Sequence, residues 1–373
     1  MTDHWHYPRP ALAAEYLRFF STGITNSLVL FAHRRAGKTE MLQQDLAPAA
    51  EKAGYRVVYA SILGSTLSPL ATLLYALEKS LETRPFPERL RQFLTSPVSK
   101  LKLSGELPGA KGAAEIDLGE LHGKAPADLL LYLGDLIARL AKSRKKLLLL
   151  IDEVQELATA TINRPLVAAL RTALDVNREH VMVVFTGSSR EGLTRMFSDR
   201  DAPFFHFATQ IDLPSLDIKF VSHVLAEFKK AAKREIDLKE AMHVFESLKH
   251  NPYYFRKVVE NMLKTPGESL SQTLRYIREQ IPVWEGYPAT WIALRPLDRE
   301  ILLMLAQGES SMFTRASRAH LSKRLGVKQM SAAKVVVSVR RLLHRRLILR
   351  DAGKQRYMIE DWEFAVWITK NMG

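Results

Sequence analysis

Residues 27–42 read SLVLFAHRRAGKTEML, and this stretch decides the fold. The apolar residues 28–31 predict a strand, residues 40–44 predict a helix, and a polar loop that ends in Gly37, Lys38 and Thr39 joins them. A strand, a loop and a helix N-terminus in this order are typical of a phosphate-binding P-loop, in which backbone N–H groups and the helix dipole face a polyphosphate. The residues predicted to line the phosphates are His33, Arg34, Arg35, Ala36, Gly37, Lys38, Thr39 and Glu40.

Two side chains of this loop have predicted roles of their own. Lys38 would reach the β- and γ-phosphates of ATP, and the hydroxyl of Thr39 would ligate Mg²⁺. The pattern G-x-x-x-x-G-K-[ST] has glycine where this chain has Ala32, and glycine is usual where a backbone turns tightly. The alternative interpretation is a strand–helix loop that carries Gly-Lys-Thr without binding phosphate.

A second apolar run ends in two acids. Residues 145–153 read KKLLLLIDE, which is typical of a strand buried on both faces of a parallel sheet. Beside the phosphate loop, Asp152 would hold Mg²⁺ through water, and Glu153 would orient or deprotonate the attacking water. We therefore predict that Lys38, Asp152 and Glu153 are catalytic, and that Thr39 and Asp152 are the metal ligands. Alone, two adjacent acids are more typical of a solvated helix N-terminus.

The composition narrows the class of protein. The chain has 373 residues, no cysteine and a formal net charge of +14. The length suggests about two or three domains; the lack of cysteine excludes disulfides and Cys-ligated zinc and favours the cytoplasm. We expect no membrane insertion, because no apolar run approaches the roughly 18 residues that span a bilayer. The basic charge indicates a polyanionic partner, with nucleic acid as the first candidate and an acidic membrane as the second.

The N-terminal half follows an α/β pattern. Residues 56–60, 181–185 and 210–214 predict further strands, with helices between them, so we expect a parallel α/β core over residues 1–213. Thr186 and Ser188 follow one of these strands. Either could sense a γ-phosphate, or the serines could cap the next helix. Alternating residues at about 97–120 predict a β-hairpin insertion.

The C-terminal half is predominantly helical. Residues 214–290 predict a small helical lid, in which Asn251 caps a helix that begins at Pro252. Residues 281–296 carry the turn residues of a linker. Residues 291–373 predict three helices and a hairpin, which is the pattern of a winged helix-turn-helix domain.

The predicted winged helix is strongly basic. From Phe313 to Arg350 the chain contains no acid but many lysines and arginines. This clustering fits the phosphates of duplex DNA, with the helix from Ser331 in the major groove. The predicted nucleic-acid contacts are Lys328, Lys334, Arg340, Arg341, Arg345 and Arg346. The alternative is a winged helix that contacts protein or inhibits its own ATPase core.

Together, these stretches resemble the archaeal-type ATPases of the STAND branch of AAA+ proteins. Residues 33–39, HRRAGKT, are similar to the family's G-P-R-R-x-G-K-T/S, and residues 147–156 end in its D-E-x-Q-E. Residues 186–189 match T-G-S-S, residues 251–254 (NPYY) are similar to G-x-P-Y-Y, and residues 357–367 match the closing wing and helix. The resemblance implies an AAA+-type core, a helical lid with Pro252 near the nucleotide, and a C-terminal winged helix.

The resemblance also implies Mg²⁺-dependent binding and hydrolysis of ATP, coupled to exposure of the winged helix. Residues 205–207 read FHF where the family often has Tyr-Gly-Arg, so an arginine finger is absent there and slow hydrolysis is expected. Two function classes stay open: an ATP-regulated protein that binds double-stranded DNA, and a signalling switch whose winged helix docks a protein partner. A nucleotide-binding scaffold without turnover is a third. A nucleotide-dependent homo-oligomer is also anticipated.

Overall fold

The computed structural model describes residues 4–62, 68–81, 126–158, 161–202, 204–351 and 356–373. The chain divides into two compact units, Met1–Leu216 and Asp217–Gly373. The hairpin predicted at residues 97–120 lies outside the described residues, and the domain boundaries at 213 and 290 stay predictions.

A five-stranded parallel sheet forms the centre of the first unit. Its strands lie in the spatial order β2-β3-β4-β1-β5, and every neighbouring pair is parallel. This arrangement confirms the predicted α/β fold class. The strands are β1 (Ser27–Phe31), β2 (Arg56–Ser61), β3 (Leu147–Asp152), β4 (Val181–Gly187) and β5 (Thr209–Asp212).

Helices cover both faces of this sheet. Successive residues of β3 alternate between the faces: Leu149 and Ile151 belong to one apolar cluster, and Leu148 and Leu150 to the other. The run is therefore apolar throughout, as parallel strands with two covered faces require. The helices are α1 (Pro10–Ser21), α2 (Lys38–Glu40), α3 (Ala47–Lys52), α4 (Pro69–Ser80), α5 (Pro126–Ala141), α6 (Arg164–Val176) and α7 (Arg190–Phe197). A π-helical turn, Met41–Leu46, joins α2 to α3, and the 3₁₀ helices Val154–Ala158 and Thr161–Asn163 follow β3.

The strand register brings polar residues to one edge of the sheet. Phe31 of β1 lies opposite Gly187 of β4, and Ile151 of β3 lies opposite Phe185 of β4. Because the strands are parallel, the loop after β1 and Asp152 at the end of β3 meet at the same carboxyl edge. Ligands of open α/β sheets bind at that edge.

The second unit begins with four helices, α8 (Ile218–Ala232), α9 (Leu238–Ser247), α10 (Pro252–Lys264) and α11 (Leu270–Trp284). Three phenylalanines join the first three of them. The ring of Phe245 lies 5.3 Å from those of Phe220 and Phe255, centroid to centroid. Each helix begins at a side-chain cap, supplied in chain order by Asp217, Asp237, Asn251 and Ser269.

The linker predicted at residues 281–296 is wrong. Helix α11 continues through Pro282 to Trp284, Gly286 turns the chain with φ of 67°, and a further helix, α12 (Tyr287–Ile292), follows. A proline costs a helix one backbone hydrogen bond. The burial of Ile281 and Tyr287 outweighs that cost, so apolar packing overrides the turn residues.

The chain ends in what we call the basic module: α13 (Pro296–Ala306), α14 (Arg315–Arg324), α15 (Ala332–His344), the antiparallel strands β6 (Ile348–Asp351) and β7 (Arg356–Ile359), and α16 (Trp362–Met372). This is the element order predicted for a winged helix-turn-helix. Asp298 of α13 is fully buried and accepts hydrogen bonds from Ser338 and, at 3.0 Å, from Arg341 Nε. These bonds fix α15 against α13.

The last helix also contacts the helices before the module. Helix α16 packs against both α11 and α13, and the rings of Phe364 and Trp367 lie 4.9 and 6.1 Å from the ring of Tyr287. Across the described ranges, no helix has the length and apolar composition that crossing a membrane requires.

Candidate active site

The loop between β1 and α2 has left-handed backbone at two positions. Gly37 has φ of 84° and Arg35 has φ of 62°, so a residue without a Cβ suits position 37. Ala32 does not have a positive φ, and its N–H donates to the carbonyl of Gly187 at 3.3 Å. Alanine therefore fits position 32 without backbone strain. Since α2 begins at Lys38, the first N–H groups of this helix have no acceptor within it and suit an anion.

Lys38 is 5% exposed and lies among oxygen atoms. Its Nζ donates to the carbonyls of Ala32 at 3.0 Å and His33 at 3.1 Å, and lies 3.5 Å from Oε1 of Glu153. Burial lowers the pKa of Lys38, and the charges of Glu153 and Asp152 oppose that effect. The lysine thus joins the loop to the acids that follow β3.

Asp152 is held by three hydroxyl groups. Its Oδ2 accepts from Thr39 Oγ1 at 2.6 Å and from the Tyr59 hydroxyl at 3.0 Å, and its Oδ1 accepts from Thr186. The carboxylate is 1% exposed. The structure therefore brings together the two predicted metal ligands, Thr39 and Asp152.

Glu153 has a left-handed backbone, with φ of 57°. Such a conformation is uncommon for a residue with a Cβ, and strained residues of this kind cluster at functional sites. Its N–H donates to Thr186 Oγ1 at 3.3 Å, and its Oε2 accepts from Ser188 Oγ at 2.6 Å and from Gln155. Lys38, Asp152 and Glu153, the predicted catalytic residues, therefore form one cluster.

The hydroxyls of Thr186 and Ser188 both donate hydrogen bonds to carboxylates, that of Thr186 to Asp152 and that of Ser188 to Glu153. The residue that caps the next helix, α7, is Ser189, whose hydroxyl accepts a hydrogen bond from the N–H of Gly192 at 3.1 Å. That Thr186 or Ser188 senses a γ-phosphate stays a prediction.

The segment before β1 is tied to the phosphate loop. Arg9 Nη2 donates to the carbonyl of Gly37 at 3.0 Å, and Arg9 N and His6 Nε2 both contact Oδ1 of Asp45 at 3.0 Å. Asp45 lies in the π-helical segment after α2, and π-helical segments within α-helices are frequent at functional sites. Burial lowers the pKa of Arg9, against the charge of Asp45. These contacts hold α1 and α2 in one arrangement.

Of the other predicted residues, His33 contacts the cluster through its carbonyl, which accepts from Lys38 Nζ at 3.1 Å. His33, Arg34 and Glu40 are exposed in the loop and α2, and Arg35 and Ala36 are partly buried. Pro252 lies in the second unit, at the first turn of α10, where Asn251 accepts from the N–H groups of Tyr253 and Tyr254. Its predicted place near the nucleotide stays a prediction.

Sequence reasoning missed four residues of this region. Tyr59 and Gln155 contact the two acids, and Arg9 and Asp45 brace the loop. The sequence does contain a sign of the role of Asp45. This residue follows Met41 and Leu42 at helical spacing and therefore lies on the apolar face of the helix, where a buried acid needs a hydrogen-bonding partner. Gln155 was part of the D-E-x-Q-E pattern but had no predicted role.

A family model described as an ATPase domain predominantly from Archaea matches residues 14–258. A search of curated protein sequences finds no match. Among solved structures, a Walker-type ATPase of Pyrococcus abyssi is 16% identical and has a TM-score of 0.62, with 96% of this chain and 95% of that chain covered. The ORC2 protein of Aeropyrum pernix, solved as ADPNP–ADP complexes, is 15% identical and has a TM-score of 0.57, with coverages of 96% and 90%. At these identities the two likenesses show a shared fold.

Proposed function

The chain belongs to the family of ATPase domains found predominantly in Archaea, and on that premise we propose that this P-loop ATPase is a Mg²⁺-dependent switch of the STAND type that binds double-stranded DNA through its basic module. The observation that carries the catalytic part is the convergence of Lys38, Thr39, Asp152 and Glu153, which come from two segments more than a hundred positions apart.

Mg²⁺ fits the residues of this cluster. Magnesium prefers oxygen ligands and is usually bound by one or two protein oxygens together with substrate phosphates and waters. The hydroxyl of Thr39 and the carboxylate of Asp152 lie 2.6 Å apart, oxygen to oxygen, so both are within reach of one ion. Within the described part of the chain, no group of three or more His, Asp or Glu side chains forms a separate metal site.

Each residue of this cluster has a proposed role in ATP hydrolysis. Lys38 and the N–H groups at the start of α2 bind phosphate oxygens, and Thr39 and Asp152 hold the metal. When bound, Mg²⁺ supplies charge neutralisation at the phosphates. Glu153 orients the attacking water and accepts its proton. Pro252 of α10 is proposed as a further nucleotide-binding residue.

The basic module supports the proposal of DNA binding. Lys328, Lys334 and Arg340 are exposed, and Lys334 and Arg340 lie on α15. Two other arginines predicted to contact DNA form hydrogen bonds within the protein. Arg341 Nε donates to Asp298, and Arg345 Nη1 lies 3.4 Å from the carbonyl of Ala293. We therefore expect Lys334 and Arg340 to contribute more to phosphate binding than Arg341, with Lys328, Arg345 and Arg346 also part of the surface.

The test is duplex affinity as a function of salt, measured with ADP and with a non-hydrolysable ATP analogue. We expect the logarithm of the association constant to fall linearly with the logarithm of salt, with a slope that drops by roughly 0.9 for each lost phosphate contact. K334A/R340A should flatten the slope. K219A/K239A, which removes two exposed lysines from the lid helices, should not. No binding at low salt would exclude the DNA function, and equal affinity with both nucleotides would exclude the switch.

One observation favours the alternative of a protein partner. A groove of about 560 Å³ runs along the basic module between α13, α14 and α15, and its wall includes Leu297, Val327 and Val337. Val327 and Val337 are 41% and 56% exposed. Because Arg295, Lys334 and Arg341 also line the groove, an apolar protein segment flanked by acids would be its complement. Binding of such a segment in place of duplex DNA would favour this function.

A further inference from the structure

The two oxygens of the Glu153 carboxylate have different surroundings. Oε2 accepts hydrogen bonds from Ser188 Oγ at 2.6 Å and from Gln155 Nε2. Oε1 lies 3.5 Å from Nζ of Lys38. One oxygen is therefore anchored by neutral donors, and the other is turned toward the lysine of the phosphate loop.

Gln155 is built into this arrangement. Its side chain is 1% exposed, and its Nε2 also contacts Ser188 Oγ at 3.2 Å, so the three side chains form a closed triangle of hydrogen bonds. The amide must present its nitrogen to Glu153, because its oxygen would repel the carboxylate. Among the described residues, Oε1 of Gln155 has no hydrogen-bond partner. A buried amide with one unsatisfied group is costly, which argues for a role other than stability.

Two glycines make room for this amide. A Cβ on Gly187 would lie 2.6 Å from Oε1 of Gln155, and a Cβ on Gly192 would lie 2.6 Å from Cβ of Gln155. Both distances are shorter than a Cβ contact allows, so a side chain at either glycine would displace Gln155. The end of β4 and the start of α7 thus leave room for the side chain of Gln155.

We propose that Gln155 is a positioning residue for ATP hydrolysis: with Ser188 it fixes Oε2 of Glu153, so that Oε1 is the oxygen presented to the attacking water. The inference rests on the proposed role of Glu153. A base held in one orientation needs no rearrangement when the water arrives, and misplacement by about 1 Å can cost up to about 100-fold in rate. Gln155 itself forms and breaks no covalent bond.

The test replaces Gln155 by methionine, which has a similar length but no N–H donor. We expect Gln155→Met to lower kcat about 10- to 100-fold while KM for ATP and the affinity for a non-hydrolysable analogue change by less than about twofold. Gln155→Glu, which sets a second carboxylate beside Glu153, should lower kcat further. Gln210→Met is the matched control. The side-chain amide of Gln210 in β5 is exposed and donates a hydrogen bond to Ser198 Oγ, away from the acids. The control should leave kcat unchanged.

Each other outcome decides the question. An unchanged or raised kcat in Gln155→Met overturns the inference, and a rise would mean that Gln155 restrains Glu153 instead of positioning it. If Gln155→Met loses its thermal unfolding transition, Ser188→Ala takes its place and must lower kcat with KM kept. Glu153→Gln is measured alongside. Wild-type turnover in that variant would overturn the proposed role of Glu153 and this inference together, whereas loss of turnover there with an unaffected Gln155→Met overturns this inference alone.

Discussion

The hydroxyl of Thr39 donates a hydrogen bond of 2.6 Å to Oδ2 of Asp152, although 113 positions separate the two residues. The bond joins the start of α2, which follows β1, to the end of β3, and β4 lies between β1 and β3 in the sheet. Thr186 of β4 binds the other oxygen of the same carboxylate. The candidate metal site is therefore held from three neighbouring strands at once, which fixes its geometry through the sheet and not through any single loop.

Lys38→Met should abolish most ATP turnover without unfolding the first unit. Lys38 is buried, and its cation is costly to bury, so a neutral side chain of similar length can take its place. We expect kcat/KM to fall by about 100- to 1000-fold, the usual loss for one preorganised donor to a developing charge. The measurement is steady-state hydrolysis with a thermal unfolding curve. Lys52→Met, at an exposed position of α3, should behave as wild type.

Ala32→Gly, which restores the P-loop pattern, should not improve the enzyme. The backbone at position 32 does not need a positive φ, so glycine gains nothing there. It adds freedom to the unfolded chain and should lower the free energy of unfolding by about 0.5–1 kcal/mol. Turnover and denaturant unfolding measure the two effects. A several-fold rise in kcat would show that the Cβ of Ala32 obstructs the phosphates.

Thr186→Val should weaken both stability and turnover. The fully buried hydroxyl of Thr186 donates to Asp152 and accepts from the N–H of Glu153. Valine keeps the shape but leaves both partners unsatisfied, which costs about 1–3 kcal/mol. Hydrolysis should also need more Mg²⁺, because Asp152 loses one of its anchors. Thr209→Val, an exposed change in β5, should show neither effect. Unaltered Mg²⁺ dependence in Thr186→Val would contradict the proposed role of Asp152.

Asp298→Asn should destabilise the basic module. The buried carboxylate accepts from both Ser338 and Arg341, and hydrogen bonds to charged groups are worth about 1.5–3 kcal/mol. We expect a loss of that size in the free energy of unfolding of the second unit, with ATP turnover by the first unit retained. Denaturant unfolding measures it, with Glu246→Gln as the exposed control. A variant as stable as wild type would mean that the pair contributes no net stability.

Glu363→Gln should stabilise the second unit at high pH only. Burial raises the pKa of Glu363 from 4.5 to about 7, with a further contribution from Asp361, while Arg278 of α11 opposes it. Between pH 4.5 and about 7 the folded state holds a proton that the unfolded state releases, so stability falls as pH rises through this window. The substitution removes that loss. We expect a gain of roughly 1–3 kcal/mol at pH 8 and little change at pH 4.

Thermal unfolding at the two pH values tests this prediction, and Glu309→Gln is the exposed control. An equal shift at pH 4 and pH 8 would mean that the effect of Glu363→Gln is one of packing and not of charge.

Local patterns were sufficient for the strands and for most helices. The apolar run of β3, the cap of α10 and the start of α15 can be read directly, because each depends on residues close together in the chain. Tertiary packing overrode such a pattern at Pro282, where the turn residues predicted a linker and the buried Ile281 and Tyr287 form helices instead.

The sequence by itself determined the class of site: a phosphate loop, a hydroxyl next to its lysine, and two acids after a buried strand. Each of these features is confined to a few consecutive residues, so a local pattern identifies it. Only the tertiary structure decided the strand order and the partners of each oxygen, including Gln155 on Glu153 and Tyr59 on Asp152. The physical reason is that hydrogen bonds between side chains depend on distances of about 3 Å, and for residues on different strands those distances exist only once the sheet is formed.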